Sequence, residues 1–308
     1  MISDPSFDIL VAGEINPDLI LTGDVHPEFG QVEKLVASYS LTVGSSSAIF
    51  ACGAARLGLR IAFIGVCGDD VFGRFMLDEM QKRNVDVSNV IIRPAGQTGL
   101  SLILNQGVDR AILTYPGLIG ALQASDITDV LLCNARHLHV ASYFLQTQLQ
   151  PNLLDLFQRA RSFGLTTSLD TNYDPSEKWV GFDELLSTTD VFLPNQTEAL
   201  SITKSNDVES AAKRLADKSK FVAIKLGADG AALRTKDKMI FVPSIPVNIV
   251  DTIGAGDAFD IGFLYGYLNN WSLEKSLQFA TICGALSMQA SGGIAAQPTL
   301  EEALAFLR

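Results

Sequence analysis

The chain is short of positive charge and of cysteine, and it has no long apolar run. Its 308 residues carry 23 Lys and Arg against 34 Asp and Glu, a net charge of −11. Such a surface repels nucleic acid, which argues against that partner. It also repels a nucleotide at long range, so a nucleotide site has to rest on local backbone donors and a divalent cation. The four cysteines, Cys52, Cys67, Cys133 and Cys283, form no CxxC pair and no metal-ligand cluster. That spacing reads as free thiols in a reducing cytoplasm rather than as a disulfide framework. No uninterrupted apolar run approaches the ~20 residues that cross a membrane, so no membrane partner is expected. The opening, MISDPSFD, is acidic and lacks the basic start of a secretory signal, so a cytoplasmic location is expected. Neither GxxxxGK(S/T) nor GxGxxG occurs, so neither the P-loop nor the dinucleotide fold is indicated.

Apolar residues make up 47% of the chain and charged residues 19%, which suits a substantial core. The length admits one large α/β domain or two small ones, and no linker or repeat divides it, so residues 1–308 read as one domain. Strands are expected at Phe7–Gly13, Ile61–Val66, Arg136–Ala141, Thr166–Asp170, Val191–Pro194 and Phe221–Leu226. Helices are expected at Ser46–Gly58, Phe72–Arg83, Asn152–Phe163, Asp207–Lys218 and Ser272–Gln289. This alternation predicts a mostly parallel sheet with helices on both faces. Two stretches break the rhythm, Leu19–Thr42 and Thr98–Tyr115, the second a hairpin turning at Asn105–Gly107. They predict a small accessory sheet beside the main one, within about residues 15–43 and 98–116.

The most informative segment is DTIGAGDAFDIGF, Asp251–Phe263. Gly254, Ala255 and Gly256 leave their amides open to a ligand, and an apolar helix follows directly. Free N–H groups at a helix N-terminus make an anion site, with phosphate the favoured anion. Asp257 beside that site would weaken phosphate binding by repulsion, so it calls for another task. Taking a proton from an attacking alcohol is one; capping the helix is the plain alternative.

Together Asp251, Thr252, Gly254, Ala255, Gly256, Asp257 and Phe259 resemble the C-terminal signature of the ribokinase-like (PfkB) carbohydrate kinases. The stretch VGSSSAIFACGAARLGLRIAFIGVCGDDVFGRFM is similar to the same family's first signature. The resemblance implies a three-layer α/β/α core with a β-sheet lid, ATP and Mg²⁺ as cofactors, potassium as a further one, and a homodimer formed through the lid. It implies sugar contacts from Asp18 and Asn16 and from the turn at Gly44 and Ser45. Relatives have a second glycine where Ser45 stands and an asparagine where Ile49 stands, which makes ribose a poor fit. Ser45 either contacts the sugar or caps the following helix. Arg110 is similar to a lid arginine near the substrate; an exposed hairpin charge is the other reading.

Asn195 and Glu198 match an Asn-x-x-Glu element that organises Mg²⁺ through water, and they also have helix-capping spacing. Lys225, Gly227 and Gly230 stand where relatives contact the nucleotide. Lys225 replaces a threonine there, and either adds a cation near the phosphates or lies along the surface. Thr281 replaces an asparagine near the adenine. Asp251, Ile253, Ser291 and Gly293 align with a monovalent-cation loop. Asp170-Thr171-Asn172-Tyr173-Asp174 is similar to an Asp-x-Asn-x-Arg element of acid-sugar kinases, with Asp174 in place of the arginine. That acid disfavours a carboxylated substrate. His137 and His139 read as packed residues. The expected activity is ATP-dependent phosphorylation of a small neutral sugar or polyol. The rivals are a nucleoside kinase, stacking its base on Tyr39, Tyr115 or Tyr143, and a sugar- or nucleotide-binding regulator without turnover.

Overall fold

The computed structural model describes residues 5–106, 109–181 and 183–307. The expected hairpin tip at Gly107 and the first four residues of the acidic opening lie outside that set. The run FDILVAG forms the strand Ile9–Ala12, buried along its whole length. Ile9 and Val11 pack into one apolar cluster, Leu10 and Ala12 into a second. A strand covered on both faces reads as a continuous apolar run rather than an alternation.

Among the described residues nine strands form the main sheet. Their order is Met239–Val242, Ala231–Arg234, Phe221–Lys225, Val191–Phe192, Thr166–Leu169, His137–Val140, Ile9–Ala12, Ile61–Ile64 and Val85–Asp86. Every pairing from Phe221–Lys225 to Val85–Asp86 is parallel. The two strands at the other edge run antiparallel. The architecture is therefore the expected α/β one, with a mostly parallel sheet. Parallel strands place their carboxyl ends along one rim, where ligand sites of such sheets form. The expected strand Ile61–Val66 divides at Gly65. Val66–Gly68 leaves the main sheet and pairs with Ile91–Arg93.

A separate four-stranded sheet has the order Ser38–Val43, Pro17–Thr22, Leu100–Gln106, Asp109–Tyr115. It occupies the two stretches that broke the sequence rhythm. Its register places Asp18, Ile20, Ser101 and Ile103 on one face, all buried. The opposite face carries Leu19, Leu21, Tyr39, Leu41, Leu102 and Leu113. Tyr39 is 76% exposed and Leu113 58%. The sheet thus turns its apolar side outward.

Helix Ala255–Leu268 packs against helix Leu273–Ser287 at very short range. A Cβ on Gly262 would lie 2.7 Å from the Ala280 Cα. That contact helps to fix where the first helix begins, at the loop expected to hold an anion.

Candidate active site

The carboxyl ends of the central strands deliver Glu14, Ser142, Asp170, Asn172, Asn195 and Lys225 to one rim. The helix Ala255–Leu268 starts above them, with Gly254 as its N-cap at φ 75°. Among the described residues, the amides of Gly254, Gly256 and Asp257 have no acceptor within the protein. The Ala255 amide donates to the Thr252 carbonyl at 3.4 Å. The cradle is therefore built from Gly254, Gly256 and Asp257, with Ala255 displaced from the expected trio by one turn bond.

Asp257 lies in the first helical turn and is only 8% exposed. Burial pushes its carboxyl up to about 7; the Asp170 charge adds to this, while Lys225 and the Ser46 hydroxyl oppose it. A carboxylate with that affinity is a competent proton acceptor near neutral pH.

Behind it runs a hydrogen-bonded chain that local sequence patterns did not disclose. The Asn172 amide nitrogen donates to Ser46 Oγ at 2.7 Å and to Ser142 Oγ at 2.9 Å. Ser46 Oγ accepts from Asn172, and the Ser46 hydroxyl favours the charged form of Asp257. Ser142 Oγ donates to Glu14 Oε1 at 2.8 Å, and Ser47 supplies Glu14 with a hydroxyl bond at 2.6 Å and an amide bond at 3.3 Å. Ser142 and Asn172 both hold left-handed backbone, φ 52° and 53°. Such strain in non-glycine residues gathers at functional sites. The only sequence signal for Glu14 is an acid at the end of a buried apolar strand.

A cavity of about 580 Å³ opens beside the cradle, lined by Lys225, Gly227, Gly230, Ile245, Val247, Thr252, Gly256, Thr281 and Met288, among others. It is mostly apolar, as a nucleobase requires. Thr281 gives its hydroxyl to the Leu277 carbonyl at 2.9 Å, so it offers the base a wall rather than a donor. Lys225 is not a surface residue. Its ammonium lies 2.7 Å from Asp170 Oδ2 and 3.1 Å from Asp260 Oδ1. Burial opposes its charge, but Asp170, Asp260 and Glu198 outweigh that and raise its pKa.

Asn195 and Glu198 form a reciprocal cap. The Glu198 amide donates to Asn195 Oδ1 at 2.9 Å, and the Asn195 amide donates to Glu198 Oε2 at 2.8 Å. Burial pushes Glu198 up to about 7, with the Asp170 charge adding to it. Among the described residues no group of three or more His, Cys, Asp or Glu could chelate a metal directly. Asp170 and Asp260 bond the Lys225 ammonium directly, Glu198 and Asp257 act on it at longer range, and oxygen donors of this kind suit a hydrated divalent cation. Asp251 accepts from the Ile253 amide at 3.0 Å, the Gly292 amide at 2.9 Å and Ser291 Oγ at 3.4 Å. It thereby ties together the two loops expected to hold a monovalent cation, and Gly293 packs against Gly254.

From the small sheet, Asp18 enters the site buried, and burial lifts it to about 7 against the pull of Arg110. Gly44 has to be glycine here, because a Cβ would meet Asp18 Oδ1 at 2.1 Å. Asn16 donates to Ser101 Oγ at 3.2 Å, within the small sheet. Ser45 caps its helix, accepting from the Ala48 amide at 3.1 Å and donating to the Glu14 carbonyl at 2.7 Å. Of its two readings the cap is the one realised. Arg110 reaches across to Thr252 Oγ1 at 3.2 Å and Asp251 Oδ1 at 3.6 Å, so it is no idle hairpin charge.

Other expected residues lie elsewhere. Tyr39 and Tyr115 are exposed on the outer face of the small sheet, and Tyr143 is buried with its hydroxyl on the Gly181 carbonyl. None is placed to stack a nucleoside base. Asp174 folds back on its own loop, accepting from the Ser176 and Trp179 amides at 2.8 and 2.7 Å. Its charge is spent there, so it does not confront a substrate as its sequence position suggested. His137 and His139 are fully buried against Ser168, and burial lowers both pKa values, which keeps them neutral.

The family described as pfkB family carbohydrate kinase matches residues 6–300. The chain is 31% identical over 300 residues to the ATP-dependent ribose-1-phosphate kinase of Halopiger xanaduensis, covering 97% of each. It is 32% identical over 299 residues to the 2-dehydro-3-deoxygluconokinase of Bacillus subtilis, covering 91% of this chain and 90% of the other. A solved double-mutant fructokinase from Vibrio cholerae O395, in a form bound to fructose, ADP and potassium, is 26% identical. It superposes with a TM-score of 0.83 over 99% of this chain and 100% of that one.

Proposed function

This chain belongs to the pfkB family of carbohydrate kinases, and from that premise we propose that it moves the terminal phosphoryl group of ATP to a hydroxyl of a small neutral sugar or polyol. The observation that carries the reading is Asp257 poised beside the amides of Gly254, Gly256 and Asp257 itself, which find no acceptor among the described residues. In the reaction Asp257 takes the proton of the attacking hydroxyl. The three amides hold the oxygens of the transferring group, each donor contributing about 3 kcal/mol by comparison with oxyanion holes. Asn195 and Glu198 would hold Mg²⁺ through water, and the ion would supply neutralisation of phosphate charge. Ser46, aimed by Asn172, keeps the base in position. Potassium at the Asp251, Ile253, Ser291 and Gly293 loops would act by ordering the adjoining anion loop. Substrate neutrality is supported by Asp18 and Asp257, two buried acids whose ionised forms accept hydroxyl hydrogen bonds and repel a carboxylate.

A panel of pentoses, hexoses, polyols, sugar acids, sugar phosphates and nucleosides, read by ADP release, tests the assignment. Neutral sugars or polyols should give release. Turnover confined to sugar acids or nucleosides would refute the substrate class, and none with any acceptor would refute phosphoryl transfer.

The small sheet serves as the lid, excluding water once the sugar is bound. Its outward apolar face supports a homodimer, because so large an exposed patch seldom stays uncovered. Leu113→Glu should convert a dimer to a monomer in light scattering at micromolar concentration. A wild-type protein that is already monomeric there would dismiss the interface.

A further inference from the structure

We propose that Lys225 is a catalytic residue whose ammonium donates directly to the terminal phosphoryl group of the bound nucleotide. The inference rests on the kinase reading above and goes beyond it, by naming the side chain that tells ATP from ADP. Among the described residues Lys225 is the only basic side chain lining the 580 Å³ cavity. Its Nζ lies 3.6 Å from the position a Cβ on Gly256 would take, which brings the ammonium against one residue of the cradle. The side chain rises from the end of the strand Phe221–Lys225, so its stem is fixed by the sheet.

An ammonium has three hydrogens. One is met by Asp170 Oδ2 at 2.7 Å, and a second is shared by the two Asp260 oxygens at 3.1 and 3.2 Å. The third has no protein acceptor among the described residues, and the lysine borders the cavity. Asp260 follows Asp257 by three residues on one helix, so both acids share a face. Asp170 and Asp260 thus hold the ammonium charged and aimed, in a site too dry to keep a lone lysine protonated. The need for such a cation is plain. Asp170 and Asp260 act electrostatically on Asp257 beside the cradle, so a triphosphate ending there meets negative charge that amide dipoles only partly offset.

The step balances without further reagents. The sugar oxygen forms a bond to the terminal phosphorus as the bond from that phosphorus to the bridging oxygen breaks. The alcohol proton passes to Asp257, ADP leaves with the bridging electron pair, and Lys225 keeps all its protons throughout.

The direct test is a crystal structure of the wild-type protein with Mg²⁺ and a non-hydrolysable ATP analogue. Lys225 Nζ should lie about 3 Å from a terminal phosphoryl oxygen. An analogue bound with the ammonium more than about 4 Å away would overturn the role while leaving the kinase reading intact. Failure of the wild-type protein to bind the analogue at all, by calorimetry, would instead remove the kinase reading beneath it.

A kinetic test accompanies it. K225M strands two buried acids and is prone to misfold, so it is paired with Asp260→Asn, which removes one of the two stranded charges. K225M/D260N should melt at a higher temperature than K225M. It should still turn over roughly 100-fold or more slowly than wild type, and lose the preference for ATP analogue over ADP. Recovery of wild-type kcat and of that preference in the double variant would show Lys225 to be structural.

Discussion

Asp257→Asn is expected to lower turnover by about 10³-fold or more while leaving the fold intact and more stable. The asparagine keeps the shape and the bond from Ser46, but it cannot accept the hydroxyl proton. The stability change follows from the direction of the pKa shift. Folding raises the Asp257 pKa from an ordinary 3.8 to about 7, so the folded state binds its proton more tightly than the unfolded chain. Between those values this group makes the protein less stable as pH rises, and above about 7 its full cost is present. Removing the charge should therefore stabilise the variant at pH 8 by an amount on the order of a few kcal/mol, and hardly at all near pH 4. In the wild type the same group should make kcat/KM fall below about pH 7. The limb should be steeper than one proton, because Asp18 is raised to about 7 as well. Thermal melts at the two pH values, beside the rate profile, check both signs. An equally active variant, or one less stable at pH 8, would place the base elsewhere.

Gly254→Ala is the second large effect. The residue sits at φ 75°, which costs an L side chain about 1 kcal/mol or more. Its Cβ would also lie 2.8 Å from both the Cα and the carbonyl oxygen of Gly293, backbone atoms that cannot swing aside. Either the helix start or the Ser291–Gly293 loop must move, and the amides move with it. Turnover should fall roughly 100-fold or more. Gly164 provides the control, since it has φ 86° with nothing within 4 Å of an added Cβ. Gly164→Ala should show the backbone cost in its melting temperature with catalysis unchanged. Equal catalytic losses in the two variants would mean that the cradle geometry is not what Gly254 protects.

The parts of this site that lie in one short stretch were legible beforehand. Asp251 to Phe263 announced a turn, open amides and an acid, and the Asn195–Glu198 spacing announced a cap. Alternating strands and helices disclosed the sheet, because fully buried strands leave continuous apolar runs. What stayed hidden depends on contacts between distant residues. Ser46 meets Asn172 and Glu14 meets Ser142 across more than a hundred residues each, and no local period records such a meeting. Asp174 misled in the opposite sense, and Thr281 lines the cavity without a free donor. Residue type alone does not reveal that a helix carbonyl takes the Thr281 hydroxyl, or that a loop's own amides take the Asp174 carboxylate. The antiparallel edge, Ala231–Arg234 with Met239–Val242, was too short to leave a pattern of its own.

The left-handed backbone at Ser142 and Asn172 has a consequence for anyone seeking a hardier form of this enzyme. Glycine at either place would ease the chain, and a search guided by melting temperature alone would welcome it. The gain would come from erasing the hydroxyl or amide that aims the base through Ser46. Ruggedness and rate are set against each other at these two positions, and any engineering screen has to score both.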